Sequence, residues 1–305
     1  MDRTEIIKLV SETLVKAGSS FNQDKITAYK NAIARETSPR AKWVMETVLQ
    51  NAEVADRNHS PLCDDTGIPH LILDVGPNQT IPAGMLDAIQ EGIVVGLRML
   101  PGRPMSIMGE DMQRLDQSGG LDTDSGAVLP APLQIRTVKE DVLRLHILMQ
   151  GGGPAIRGKT YRVYHRHSVS AITDEIVAWA SEGVKLLGCS PCTLAIGIGR
   201  SQYEAAALME QAQVDGSYAC QSDFEKEITD RVNAGKTGAL GLGGDCSVLG
   251  TFAKIGPQRA SGVRVVCLRP CCCFEPRIAS VEISLPTGRG RYLLHGDCLE
   301  QLFSL

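Results

Sequence analysis

Val142-Leu143-Arg144-Leu145-His146-Ile147-Leu148-Met149-Gln150-Gly151-Gly152-Gly153-Pro154 decides the fold class. Six of its first eight residues are apolar, as suits a buried strand, and the strand runs straight into a glycine triplet. A strand of this length bounded by glycine and proline belongs to a sheet core that delivers the chain to an irregular loop. Leu133 to Val138 reads as a second strand just before it. Ser168 to Lys185, which follows, carries Ile172, Ile176, Val177 and Trp179 at helical spacing.

Working outward, the same alternation of strand, loop and helix recurs. Residues 1–60 read as helical: Ile6, Ile7, Leu9, Val10, Leu14 and Val15 follow helical spacing with Thr4 as cap. Ser38-Pro39 opens a further helix. His70 to Gly76 reads as a strand and Pro82 to Arg98 as a helix, followed by a long loop over 101–130. Thr193 to Ile198 is a short buried strand. Gln202 to Gln213 and Ser222 to Ala234 are helical, and Gly235 to Gly250 is a glycine-dense turn region. Val263 to Leu268, Ala279 to Leu285 and Tyr292 to His295 read as strands, the last two split by a turn over Thr287 to Gly290. The expectation is a mixed α/β (α+β) fold forming one domain over 1–305. Its helical N-terminal part is 1–60, and the mixed part 61–305 carries functional loops at strand ends.

The chain has 305 residues and a formal charge of −4. It lacks the basic footprint of a nucleic-acid binder, and no apolar run is long enough to span a bilayer. Asp2-Arg3-Thr4-Glu5 is not a signal-peptide start, so the expected location is cytoplasmic. Ten cysteines in such a chain are not a disulfide framework. Clustered ones point to metal binding or catalysis, whereas Cys220, Cys246 and Cys298 have no motif around them and read as small buried hydrophobes.

Three cysteine settings carry chemistry. Pro61-Leu62-Cys63-Asp64-Asp65-Thr66-Gly67 combines a thiol, two carboxylates and a hydroxyl, so a thiolate could ligate metal while a carboxylate handles protons. As a bland alternative it is a polar turn. Gly188-Cys189-Ser190-Pro191-Cys192 is a CxxC pair, open to redox or zinc readings. Cys271-Cys272-Cys273 cannot turn three adjacent thiols on one metal, so one is the candidate ligand. Gly151, Gly152 and Gly153 could present successive amides to a substrate carboxylate, with Arg157 and Lys159 close behind, or be a plain turn. Gly241-Leu242-Gly243-Gly244-Asp245 is a similar segment. None of the six histidines is given a catalytic role.

Taken in order, these segments resemble the α-type catalytic domain of the iron–sulfur hydro-lyases, the class I fumarases and L(+)-tartrate dehydratase α subunits. The similarity runs through Cys63-Asp64-Asp65-Thr66-Gly67, Asp122 to Gly126, Leu145 to Gly153, and Cys189-Ser190-Pro191 with Gly197 to Arg200. It continues through Leu240 to Gly244 and Cys273 with Arg277. The chain departs from that pattern at Asp64, at Pro154-Ala155-Ile156-Arg157, at Arg200, and at Gln258 and Arg259. The resemblance implies a [4Fe-4S] cluster on Cys63, Cys189 and Cys273. Three thiolates leave the fourth iron open to bind a small 2-hydroxy di- or tricarboxylic acid, such as malate or tartrate. It further implies a supporting proton-transfer role for Asp65, and substrate contacts from Asp64, Gly151, Gly152, Gly153, Arg157 and Arg277. A separate β-type subunit and a homodimer of this chain are also implied. The competing reading is a structural zinc protein using Cys189, Cys192 and the Cys271–Cys273 run.

Overall fold

The computed structural model describes residues 2–283 and 291–293. In chain order it contains α1 (Arg3–Ser19), α2 (Gln23–Arg35), α3 (Pro39–Asn58), β1 (Ile68–Val75), α4 (Met85–Met99), α5 (Asp111–Asp116), β2 (Gln134–Thr137), β3 (Leu143–Gln150), α6 (Gly152–Arg157) and β4 (Lys159–Tyr164). There follow α7 (Val169–Leu187), β5 (Cys192–Gly199), α8 (Gln202–Asp215), α9 (Asp223–Asn233), β6 (Val248–Ile255), β7 (Val263–Cys271), β8 (Ile278–Glu282) and β9 (Arg291–Leu293). Helices and two mixed sheets together make this an α+β fold. The expected turn over Thr287 to Gly290 and Cys298 lie outside the described residues.

The chain divides into two compact units. One holds the chain up to Phe21, Asn51–Gly152 and the described residues from Arg277; the other holds Asn22–Gln50 and Gly153–Pro276. In the first, the strand order is β2-β1-β3-β8-β9. β1 and β3 pair antiparallel, with Leu73 opposite Leu145 and Ile147 opposite Leu71. Leu71, Leu73, Leu145, Ile147, Met149, Ala279 and Val281 therefore share one face of the pleat and bury it against α1 and α4. α1 supplies Ile6, Val10 and Leu14 to that core. Its N-cap is Asp2 rather than Thr4. The Asp2 carboxylate accepts from the Glu5 amide at 2.8 Å and the Glu5 side chain accepts from the Asp2 amide at 2.9 Å, a reciprocal box that a threonine two residues inside the helix cannot form.

The opposite face of this sheet carries a buried polar row. Asp74 receives Arg136 from β2 and His146 Nε2 from β3 at 2.9 Å, while His146 Nδ1 meets Ser280 Oγ of β8 at 2.5 Å. Burial pushes the Asp74 carboxyl up, but the bonds to His146 and Arg136 outweigh it and hold the group at about 2.

In the second unit the order is β4-β7-β5-β6. All eight residues of β5 are buried, with β6 parallel on one side and β7 antiparallel on the other. β5 is thus the continuous apolar strand expected from its sequence, two residues longer. β4 and β6 were not foreseen. Only Val163 of β4 is buried, as suits an edge strand, and β6 sits where the glycine-dense stretch ends. The long 101–130 loop contains the short helix α5 and one 3-10 turn at Ser125–Ala127.

Candidate functional site

In the first unit the Cys63 loop is held from both ends. The Leu62 amide donates to the Gly18 carbonyl at 3.0 Å, and Asn51 Nδ2 donates to the Leu62 carbonyl at 2.9 Å. At the far end Arg277 lies in the interior, 2% exposed. Its Nη1 donates to the Asp65 carbonyl at 2.7 Å and its Nε to the Met149 carbonyl at 2.9 Å. Arg277 thus ties the loop to the end of β3. Gly67 fits beneath it with φ +94; a Cβ there would lie 2.7 Å from Arg277 Nη2 and 2.9 Å from the Gln150 backbone. Only glycine meets both conditions.

Cys63 is half-buried in this loop. The Asp65 carboxylate accepts from the Gly152 amide at 2.7 Å. A Cβ on Gly151 would stand 2.5 Å from the same carboxylate oxygen, so the glycine lets Asp65 reach the α6 start. The glycine triplet is therefore the entry to a short helix, and one of its amides is engaged by the chain's own carboxylate. Asp64 is exposed and forms an ion pair with Arg103 at 3.0 Å. Arg103 was not singled out from sequence; it lies in the 101–130 loop, and its amide also donates to Thr66 Oγ1 at 3.1 Å.

In the second unit Cys189 sits in the turn between α7 and β5. Gly188 caps α7 with φ +75. Ser190 Oγ donates to the Gly238 carbonyl at 2.6 Å, and the Leu240 amide donates to the Ser190 carbonyl at 3.0 Å. Gly238 and Leu240, just ahead of the Gly241–Asp245 segment singled out in sequence, are thus the seat of the Cys189 loop. Cys189 is exposed. Cys273 lies just past β7, 4% exposed. Its amide donates to the Cys189 carbonyl at 2.8 Å, so the backbones of the two cysteine loops touch. From α2, Tyr29 Oη donates to the Cys273 carbonyl at 2.8 Å and Lys25 Nζ to the Glu275 carbonyl at 2.7 Å. Glu275 in turn takes the buried Arg269 guanidinium through a forked contact at 3.0–3.3 Å.

The electrostatics follow from burial. A hydrogen bond with Cys272 and desolvation push the Cys273 thiol well above its usual range, with Cys272 and Cys189 adding to the effect and Lys25 opposing it. Burial pulls the Lys25 ammonium down to about 8 against the opposing pull of Cys272, Cys273, Cys271 and Glu275. Thiols in such surroundings stay protonated in the absence of a cation and are deprotonated outright by a coordinated metal.

None of Cys63, Cys189 and Cys273 is disulfide-bonded, as a set of soft metal donors requires. Among the described residues no three His, Cys, Asp or Glu side chains crowd together to hold a metal ion. Cys192 and Cys271 are fully buried in β5 and β7, and Cys271 Sγ points to Gln213 Oε1 at 3.6 Å. Arg157 of α6 donates to the Leu186 carbonyl at the α7 C-terminus, at 3.0 Å. Arg200 is engaged by Glu204 at 2.6 Å, and Gln258 by the Gly256 carbonyl at 2.9 Å. Lys25, Tyr29, Arg269 and Glu275 escaped the sequence reading. Lys25 and Tyr29 lie in a polar helix where nothing local marks them, and Arg269 and Glu275 are charges flanking the apolar Pro270–Phe274 run.

The fold and these loops define a class: an α+β protein that presents thiols from short loops anchored through the main chain. The chain belongs to the fumarate hydratase (Fumerase) family, whose model matches residues 7–282. It is 23% identical to a provisionally named L(+)-tartrate dehydratase subunit alpha of Methanocaldococcus jannaschii, over 92% of this chain and 98% of that protein. It is 22% identical to the L(+)-tartrate dehydratase subunit alpha of Escherichia coli K12, over 90% of this chain and 84% of that one. Similarity to the anaerobic class I fumarate hydratase of Escherichia coli K12, 26% identical, covers 55% of this chain and 30% of that protein. No described helix is long and apolar enough to cross a membrane.

Proposed function

We propose that this chain is the α-type part of an iron–sulfur hydro-lyase that adds or removes water at a small 2-hydroxy di- or tricarboxylic acid. Cys63, Cys189 and Cys273 would hold a [4Fe-4S] cluster. When bound, that cluster would supply an open iron as Lewis acid for the departing hydroxyl. The observation that carries the reading is the presence of three cysteines, none of them disulfide-bonded, on three anchored loops in a chain of this family.

The chain's own residues then divide the remaining work. Asp65, oriented by the Gly152 amide, holds or relays a proton beside the Cys63 loop. Arg103 and Asp64 form an exposed pair on the same loop, and Arg103 can turn from Asp64 to an incoming carboxylate. Gly151 and Gly152 keep the α6 entrance open for Asp65, while Gly153 has nothing within 4 Å of a would-be Cβ and can be approached by a ligand. Arg277 contributes through the loop that it ties down. The names of the tartrate dehydratase relatives describe alpha subunits, which supports a separate β-type partner to complete the substrate pocket.

The test is anaerobic reconstitution of the full chain with iron and sulfide, followed by a hydratase assay with and without a β-type subunit. Charge-transfer absorption and about four irons and four sulfides per chain are expected, both lost in Cys63→Ala. Activity is expected only with the partner. One zinc per chain with no labile sulfide would sink the reading; full activity from the chain alone would sink the partner.

A further inference from the structure

We propose that Lys25 and Tyr29 of α2 are positioning residues for the Cys273 ligand, and that the Lys25 charge sets the reduction potential of the bound cluster. This rests on the reading of Cys273 as a cluster ligand. The two residues are four apart, so they project from one face of α2, one above the other. Both are buried, at 2% and 0% exposure. Tyr29 Oη grips the Cys273 carbonyl at 2.8 Å and Lys25 Nζ grips the Glu275 carbonyl at 2.7 Å. Together they bracket the turn that carries the thiol. The start of α2 is itself fixed, since Asn22 Oδ1 accepts from the Lys25 amide at 2.8 Å.

A packing role alone would not select this pair. Leucine or methionine could fill the space of Lys25 without the cost of burying an ammonium. The titratable groups acting on that ammonium are Cys271, Cys272, Cys273 and Glu275. The Glu275 carboxylate is already matched by Arg269 at 3.0 Å. Arg269 is also acted on by Glu210, and Lys25 brings a second buried cation to the Cys273 turn. In a site shielded from water such a charge stabilises thiolate donors, and it favours the more negative of two redox states. Lys25 would therefore raise the cluster's potential, whereas Tyr29, uncharged, would act on the loop alone.

The test uses the full chain in four forms, wild type, Lys25→Met, Lys25→Arg and Tyr29→Phe, each reconstituted anaerobically. The readouts are the midpoint potential from an EPR-monitored redox titration and the rate of iron release to a chelator. Lys25→Met is expected to shift the potential negative and release iron about tenfold faster, with Lys25→Arg restoring the potential. Tyr29→Phe is expected to keep the potential and release iron several-fold faster; it removes one hydroxyl and keeps the test alive should Lys25→Met fail to fold. Variants that load, hold and reduce the cluster as the wild type does overturn the proposal. A wild-type chain that binds no cluster overturns the parent reading and this one with it.

Discussion

Replacing Arg277 by methionine should loosen the Cys63 loop and destabilise the chain by a calculable amount. The guanidinium donates two charge-assisted bonds, to the Asp65 carbonyl at 2.7 Å and the Met149 carbonyl at 2.9 Å. Hydrogen bonds from a charged group contribute about 1.5–3 kcal/mol each, so losing both costs about 3–6 kcal/mol. Relief from holding a cation in the interior offsets part of this, leaving a net loss of about 2–5 kcal/mol. In urea, with slopes of about 2–3 kcal/mol per molar, the midpoint should fall by about 1–2 M. Arg277→Lys should lie between, because one ammonium on a flexible stem cannot span both carbonyls in the fork geometry. Lost stability alone would not localise the effect. Alkylation of Cys63, followed by peptide mass mapping under native conditions, does. Its rate should rise several-fold in Arg277→Met while that of Cys189, held by other contacts, stays put. An unchanged urea midpoint together with unchanged Cys63 labelling would refute the claim that Arg277 ties this loop down.

Further consequences follow from the same geometry. Gly151→Ala places a methyl 2.5 Å from Asp65 Oδ2, so it should displace the carboxylate and lower hydratase kcat about 10²-fold with a near-normal urea midpoint; a wild-type kcat in the partnered enzyme would discount Asp65. The Asp74 carboxyl is held at about 2, below its unfolded value near 3.8, so its contribution is complete above pH 3.8 and is lost as pH falls toward 2. Urea titrations between pH 4 and pH 2 should show the wild type losing about 2 kcal/mol more than Asp74→Asn, and equal losses would contradict the assignment. Glu275→Gln leaves the Arg269 cation buried without its carboxylate and should cost about 3–5 kcal/mol by urea denaturation; the double change Arg269→Met with Glu275→Leu should recover most of it, and no recovery would argue against a buried-charge cost.

The elements legible in the sequence were those whose hydrophobic period matched their burial. α7 and β5 were found almost to the residue, because one buries a single stripe and the other both faces. β4 was missed because an edge strand with one buried side chain has no apolar alternation to read. β6 was missed because Gly250, packed against Tyr218 and Gln221, interrupts its run. At the site, the sequence marked the cysteines and carboxylates but not what holds them. Lys25 and Tyr29 meet the Cys273 turn across about 250 positions of chain, and Asp74, His146 and Ser280 join across three strands. Contacts of that span leave no local pattern.

The way the cysteine loops are held bears on what their thiols can do. Leu62, Ser190 and Cys273 are fixed by bonds to main-chain carbonyls or amides, and the Asp65 and Glu275 carbonyls are gripped by Arg277 and Lys25. Such anchors consume backbone groups and leave the cysteine side chain as the variable part of the loop. The cysteines buried in or beside the sheet are used differently. Cys246 Sγ bonds to the Val248 carbonyl at 3.6 Å, Cys271 Sγ to Gln213, and Cys267 Sγ accepts from Thr160 at 3.1 Å. Burial pushes the Cys246 thiol up to about 12 and raises Cys267 as well, so neither gives a thiolate at neutral pH. Cys189 is exposed and Cys63 half-buried, within reach of an incoming ion, and Cys273 is buried but faced by the Lys25 charge. The separation between packing thiols and the thiols proposed as donors thus rests on main-chain anchoring and on where cations are buried. The same logic accounts for why Asp64 and Pro154 to Arg157 can differ from the family pattern without undoing the loops: the bonds of the Asp64 and Arg157 side chains go to Arg103 and to the Leu186 carbonyl, not to an anchor of Cys63, Cys189 or Cys273.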